Sequence, residues 1–153
     1  MDGTPRIHIK RILVPIDFSA SSLEALAYAS QLTQRFGAEL LVLHVVEPVY
    51  AAEPNVGSAD LTTLLDEQER IADEQLARIS ANLSKQGQRV RTQVECGVPA
   101  QAIVEVANDS ATDLIVIATH GRTGLSHMLI GSVAERVVRL ANCPVLTIRP
   151  ASR

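Results

Sequence analysis

Short runs of branched aliphatic residues alternate along the chain with longer stretches in which apolar positions recur every three or four residues. That alternation is a strand and helix signal repeated from end to end. The run Ile9 to Ile16 predicts a first strand closing on Pro15 and Asp17. Beyond it Ser21-Ser22-Leu23-Glu24 has capping-box spacing, and Ala25, Tyr28, Ala29, Leu32 and Phe36 form an apolar stripe that stops at Gly37. Glu39 to Val46 is the second strand, and Pro48, Pro54 and Gly57 make Glu47 to Gly57 a mobile connection, placed to serve as a lid or a partner surface. From about Ser58 to Lys85 a long helix turns Leu61, Leu64, Leu65, Ala72, Leu76, Ile79 and Leu83 inward. Its acidic residues Asp66, Glu67, Glu69, Asp73 and Glu74 fall mostly outside, as a solvated face rather than a metal site. Gly87 stops this helix, Arg89 to Glu95 alternates as a third strand, and Pro99 suits the first position of a helix through Asn108. Asp113 to Ala118 predicts a strand buried on both faces. A helix beginning near Gly131-Ser132 carries Ile130, Val133, Ala134, Val137, Val138 and Ala141 as its apolar face, and Pro144 to Ile148 closes the chain as the last strand.

Five short apolar strands spaced by helices call for an α/β fold, an open five-stranded parallel sheet with helices on both faces. Right-handed crossovers cover both faces only if the winding reverses once, and the reversal leaves a crevice at the carboxyl ends of the flanking strands. A chain of 153 residues suits a single domain, with its core at about 7–150. At 46% hydrophobic but 3% aromatic, its core is aliphatic, which excludes a disulfide scaffold or a disordered chain. Cys96 and Cys143 are far apart, with no CxxC and no His at ligand spacing, so they are expected as thiols in a reducing compartment. The net charge of -3 argues against nucleic acid as a partner. No segment has signal-peptide or membrane-spanning character, so a soluble cytoplasmic protein is expected.

The chemistry gathers between the fourth strand and the last helix. The loop Thr119 to Ile130 carries Gly121, Arg122 and Gly124, so backbone amides and a guanidinium can converge on an anion beside a helix N-terminus. The glycines alternatively supply turn geometry alone, and Ser132 with Glu135 has capping-box spacing of its own. Asp17 stands at the carboxyl edge of the sheet, either as an acceptor for a base amino group or ribose hydroxyl or, like Ser19, as a helix cap. Neither GxxxxGK[ST] nor GxGxxG is present, which disfavours a P-loop NTPase or an ordinary dinucleotide site. His120 and His127 lie in the loop without a nucleophile motif, and His44 interrupts an apolar strand, as a hydrogen-bonded core histidine or a ligand. No catalytic residue and no protein-held metal site is assigned.

Taken together, Pro15-Ile16-Asp17, His44-Val45 and the block DLIVIATHGRTG followed by GSVAERV and CPVL resemble the universal stress protein family over essentially the whole chain. In nucleotide-binding members of that family the pattern is Gly, two residues, Gly, nine residues, then Gly and Ser or Thr. Here it falls on Ala118, Gly121, Gly131 and Ser132, with alanine in place of the first glycine. The added methyl either crowds a ribose or is harmless if the local φ is negative. The resemblance implies a Rossmann-like sheet of order 3-2-1-4-5 with its crevice between the first and fourth strands. It also implies that Pro15, Ile16, Asp17 and the Val45 backbone hold adenine and ribose beside Ala118. Gly121, Arg122, Gly131, Ser132 and Val133 would then line the phosphates, and the fifth strand would pair across a twofold axis in a homodimer.

These readings predict a stress-response protein that binds ATP, with Mg or Mn held mainly by the phosphates, and acts as a ligand-dependent switch. Two alternatives stand beside it. One is slow ATP hydrolysis, with Arg122 stabilising charge and His120 or Asp17 orienting water. The other is a dimer without nucleotide that works only through protein contacts.

Overall fold

A computed structural model of the protein describes residues 8–48, 58–120 and 130–149. Strands and helices alternate as β1 (Arg11–Pro15), α1 (Ala20–Phe36), β2 (Glu39–Val46), α2 (Ser58–Lys85), β3 (Val90–Cys96), α3 (Pro99–Asp109), β4 (Leu114–Ala118), α4 (Ser132–Leu140) and β5 (Val145–Ile148). The strands form one sheet in the order β3-β2-β1-β4-β5, and every neighbouring pair is parallel.

Side chains alternate across a strand, so a strand apolar at every position buries both faces. Ile12, Val14 and Ile16 pack with Leu40, Val42 and Val116 against Ala25 and Ala29 of α1 and Leu76 and Leu83 of α2. On the opposite face Leu13, Leu41, Leu43, Ile115 and Ile117 pack against Ile103 and Val106 of α3 and Ala134 and Val137 of α4. The chain therefore winds outward from β1 to β3 over one face, then crosses by α3 to β4 and β5 over the other. β1 and β4, the strands at the reversal, share only the pairs Ile12↔Leu114 and Leu13↔Ile115. On its other side β1 pairs with β2 along its whole length, from Arg11↔Glu39 to Pro15↔Leu43. Past Leu13 the first and fourth strands have parted.

Boundaries shift by a residue or two from the sequence expectation, with β1 starting at Arg11, β3 spanning Val90–Cys96 and β5 starting at Val145. Three expectations need correction. The N-cap of α1 is Ser19, whose hydroxyl accepts from the Ser22 amide at 3.2 Å, so Ser21 opens no capping box. The buried stripe of α1 is Ser22, Ala25, Leu26, Ala29, Ser30 and Thr33, whereas Tyr28 and Phe36 are exposed. Small side chains let this helix lie close on the sheet, and the aromatic rings are turned outward. In α4 the N-cap is Gly131, with no side-chain cap, so Ser132 is the first helical residue and not its own cap; Ile130 and Val138 are exposed.

Gly37 ends α1 in the left-handed region, φ 64°, with its amide on the Thr33 carbonyl, as its place in the sequence predicts. The acidic face of α2 is solvated: Arg70 bridges Glu67 at 2.6 Å and also Glu74, and its hydrogen bonds hold the Glu67 carboxyl below the usual range. Cys96 is an exposed thiol and Cys143 a half-buried one, whose burial pushes its pKa up.

Leu76 is fully buried as expected, whereas Leu64, expected to face inward on the same helix, is 56% exposed, a further correction. Leu76→Ala is expected to lose about 2–5 kcal/mol in urea unfolding, and Leu64→Ala to stay within about 0.5 kcal/mol of the parent. Equal losses would contradict the packing of α2 described here.

Candidate functional site

The parting of β1 and β4 opens a cleft of about 780 Å³ at the carboxyl edge of the sheet, within the roughly 300–1,000 Å³ typical of small-molecule sites. Its floor is made by the strand ends Pro15, Ile16, Val45, Ile117 and Ala118, and its walls by two turns and by residues of α2, α3 and α4.

The turn leaving β1 is tightly bound. Asp17 Oδ1 accepts from the Ser19 amide at 3.0 Å, and the Asp17 amide donates to Ser22 Oγ at 3.3 Å. Ser22 Oγ in turn donates to the Ser19 carbonyl at 3.0 Å. Phe18, between Asp17 and Ser19, has φ 62°, a region that costs a bulky L-residue about 1–2 kcal/mol. Strain of this kind persists where the surroundings over-determine it. Here its ring centroid lies 4.6 Å from that of His44, and His44 Nδ1 donates to the Ile16 carbonyl at 2.8 Å. His44 is thus hydrogen-bonded and half-buried on the lining of the cleft, where it braces the turn that carries Asp17.

The opposite wall begins where β4 ends. The Thr119 amide donates to the Ile148 carbonyl at 2.9 Å, extending the ladder to β5, and the Thr119 carbonyl accepts from the Gly131 amide at 2.5 Å. A Cβ on Gly131 would stand 2.8 Å from that carbonyl oxygen. Gly131 has an ordinary extended backbone, φ -66° and ψ 154°, so glycine is required for close approach and not for torsional freedom. Its amide is consumed by the protein, which corrects the expectation that it is spare for a ligand. α4 starts immediately after it, and among the described residues no acceptor meets the Ser132 and Val133 amides. Orphan amides of a first helical turn carry partial positive charge toward the space before them.

Of the residues assigned from sequence, Pro15, Ile16, Asp17, Val45, Ala118, Gly131, Ser132 and Val133 all line this one cleft. Gly121 and Arg122 lie outside the described residues, as do Gly124, His127 and most of the expected lid. Asp17 occupies the rim and also fulfils the capping alternative through Ser19. Ala118 is the last residue of β4, opposite Ile148, and is not among the described residues with positive φ. Its methyl group therefore carries no backbone strain, and any effect on a ligand is one of room. His120 joins the lining with its Nδ1 2.9 Å from Thr119 Oγ1.

Sequence reasoning missed the contribution of α2, which lends Gln68, Ile71 and Gln75 to the cleft, and that of Arg136 on α4. Arg136 was findable, because it sits four residues after Ser132 and so on the same helical face. The α2 residues were not, because the crossing of that helix over the sheet end is a tertiary fact.

Comparison with known proteins gives a consistent picture. The universal stress protein family matches residues 8–149. Universal stress protein MJ0531 of Methanocaldococcus jannaschii is 39% identical over 141 residues, covering 92% of this chain and 82% of the relative. The solved universal stress protein UspA from Lactobacillus plantarum superposes with a TM-score of 0.85 at 27% identity, covering 94% of this chain and 100% of the other. A universal stress protein from Archaeoglobus fulgidus, solved in complex with dAMP, shares the fold at a TM-score of 0.61 and 22% identity, covering 94% and 99%.

Gly131→Ala is expected to cost about 1–3 kcal/mol through overpacking and to lose hydrogen-exchange protection at the residue 131 amide. Unchanged stability and protection would show that the contact with Thr119 does not hold the two elements together.

Proposed function

The chain belongs to the universal stress protein family, and from that premise we propose that it binds ATP in the cleft between β1 and β4 and acts as a ligand-dependent switch. The observation that carries this reading is the pairing of opposites across the cleft. A carboxylate, Asp17, stands on the β1 side, and the Ser132 and Val133 amides, unmet among the described residues, stand on the α4 side. A nucleotide has the complementary polarity, with an amino-bearing base and hydroxyl-bearing sugar at one end and anionic phosphates at the other.

In this proposal Asp17 and the Val45 backbone hold adenine, and Pro15, Ile16 and Ala118 flank the ribose. The phosphates lie at Ser132 and Val133, where Gly121 and Arg122 join them, while Gly131 fixes the start of α4. The dAMP complex of the Archaeoglobus relative is in keeping with an adenine nucleotide on this fold. Among the described residues no three of His, Cys, Asp and Glu gather to ligate a metal, so Mg or Mn accompanying ATP would be held mainly by the phosphates. The switch is favoured over hydrolysis because Asp17 Oδ1 and His120 Nδ1, on the two groups offered to orient water, are engaged by Ser19 and Thr119.

We also infer a homodimer through β5, which among the described residues has a sheet neighbour only in β4. Leu146 on this edge and Val138 and Leu140 on α4 are exposed apolar side chains, and an uncovered apolar edge invites pairing. The two free thiols suit a reducing, cytoplasmic setting. Among the described residues no helix is long and apolar enough to cross a membrane.

Millimolar ATP with magnesium should raise the melting temperature, since a ligand at one hundred times its dissociation constant adds about 2.7 kcal/mol to stability. Asp17→Asn keeps the oxygen that accepts from Ser19 but removes the charge, so ATP affinity should fall about tenfold with the unliganded melt unchanged. No shift in the parent protein would overturn the ATP reading. A monodisperse monomer in solution scattering at micromolar concentration would overturn the dimer.

A further inference from the structure

The charged groups lining the cleft are distributed unevenly. Asp17 and Glu47 stand at the ends of β1 and β2, whereas Arg136 is the cation on the α4 wall. Arg136 has no carboxylate partner among the described residues. Glu135, the acid of α4, is taken by Arg139 at 2.8 Å. Adjacent helical residues do not face each other, so Arg139 rather than Arg136 is its geometric mate.

Position decides where this guanidinium reaches. Arg136 lies one turn after Ser132, and long helical side chains lean toward the helix N-terminus, over the preceding turn. Its head can therefore reach the Ser132 and Val133 amides, which line the same cleft. The carboxylates of Asp17 and Glu47 repel an anion from the other end. A guanidinium offers a planar fork of donors matched to phosphate oxygens, and it keeps its charge at every physiological pH.

We propose that Arg136 is the specificity residue for polyphosphate length, holding the distal phosphates of a nucleoside triphosphate and so favouring ATP over AMP and adenosine. The inference rests on the ATP reading for its nucleoside half and on the cleft's own charge layout for its anionic half. Ser132 and Val133 amides serve the phosphate nearest the helix, and Arg136 the phosphates that extend beyond it.

Calorimetric titration of the full chain and of Arg136→Gln with adenosine, AMP, ATP and inorganic tripolyphosphate tests this. Removing one charge-assisted contact should weaken ATP and tripolyphosphate about tenfold while leaving adenosine unchanged. The loss should shrink as salt rises, and Arg136→Lys should recover part of it because charge is retained. The unliganded melting curve of Arg136→Gln should match the parent, since the side chain is exposed. Equal weakening of adenosine and ATP, or no weakening of either, would overturn the assignment. Arg136-dependent binding of ATP and tripolyphosphate alike, in a protein without affinity for adenosine, would uphold it and retire the adenine contacts of the ATP reading. A parent protein that binds none of the four probes would overturn both.

Discussion

Everything in this molecule follows from a parallel sheet that is apolar on both faces. Parallel strands need crossovers, crossovers need helices, and helices on both faces need one reversal of winding. The reversal falls between β1 and β4, where only two residue pairs join the strands. Hydrophobic burial thus dictates a gap in the hydrogen-bond ladder, and the gap becomes the cleft. The polar residues around it are placed by the core behind them: Ile12 and Val14 are fully buried on one side of β1 and Leu13 on the other, which points the strand end carrying Pro15 to Asp17 at the rim.

The fold was legible because its signal is repeated five times in the same form. Val42, Ile115 and Val116 are apolar neighbours on both faces in the sequence and fully buried in the structure. Where small side chains do the packing, the legibility fails. Ser22, Ser30 and Thr33 of α1 are buried, and a hydrophobicity pattern ranks such residues as surface. Thr33 Oγ1 donates to the Ser30 carbonyl at 2.7 Å, while Gln88 Nε2 donates to Ser30 Oγ at 2.7 Å. These polar side chains are satisfied among themselves, so they bury without an unmet donor. Tyr28 and Phe36, the larger and more conspicuous residues, are left outside.

Half of the cleft was legible for a different reason. Asp17, Ala118, Gly131 and Ser132 sit directly at element ends, so a correct element map brings them together before any side chain is placed. What stayed hidden required the third dimension. Gln68 and Gln75 reach the cleft because α2 passes over the end of the sheet, and no local pattern announces that crossing. The Gly131 amide was expected to be spare, and its bond to Thr119 is likewise a contact between residues separated by a loop. The same bond explains the glycine itself, through the crowding of a Cβ against the Thr119 carbonyl.

The Thr119 to Gly131 hydrogen bond also ties the end of β4 directly to the start of α4. The start of α4 is thereby a property of the sheet edge itself, so the helix end that faces the cleft is seated before any ligand arrives.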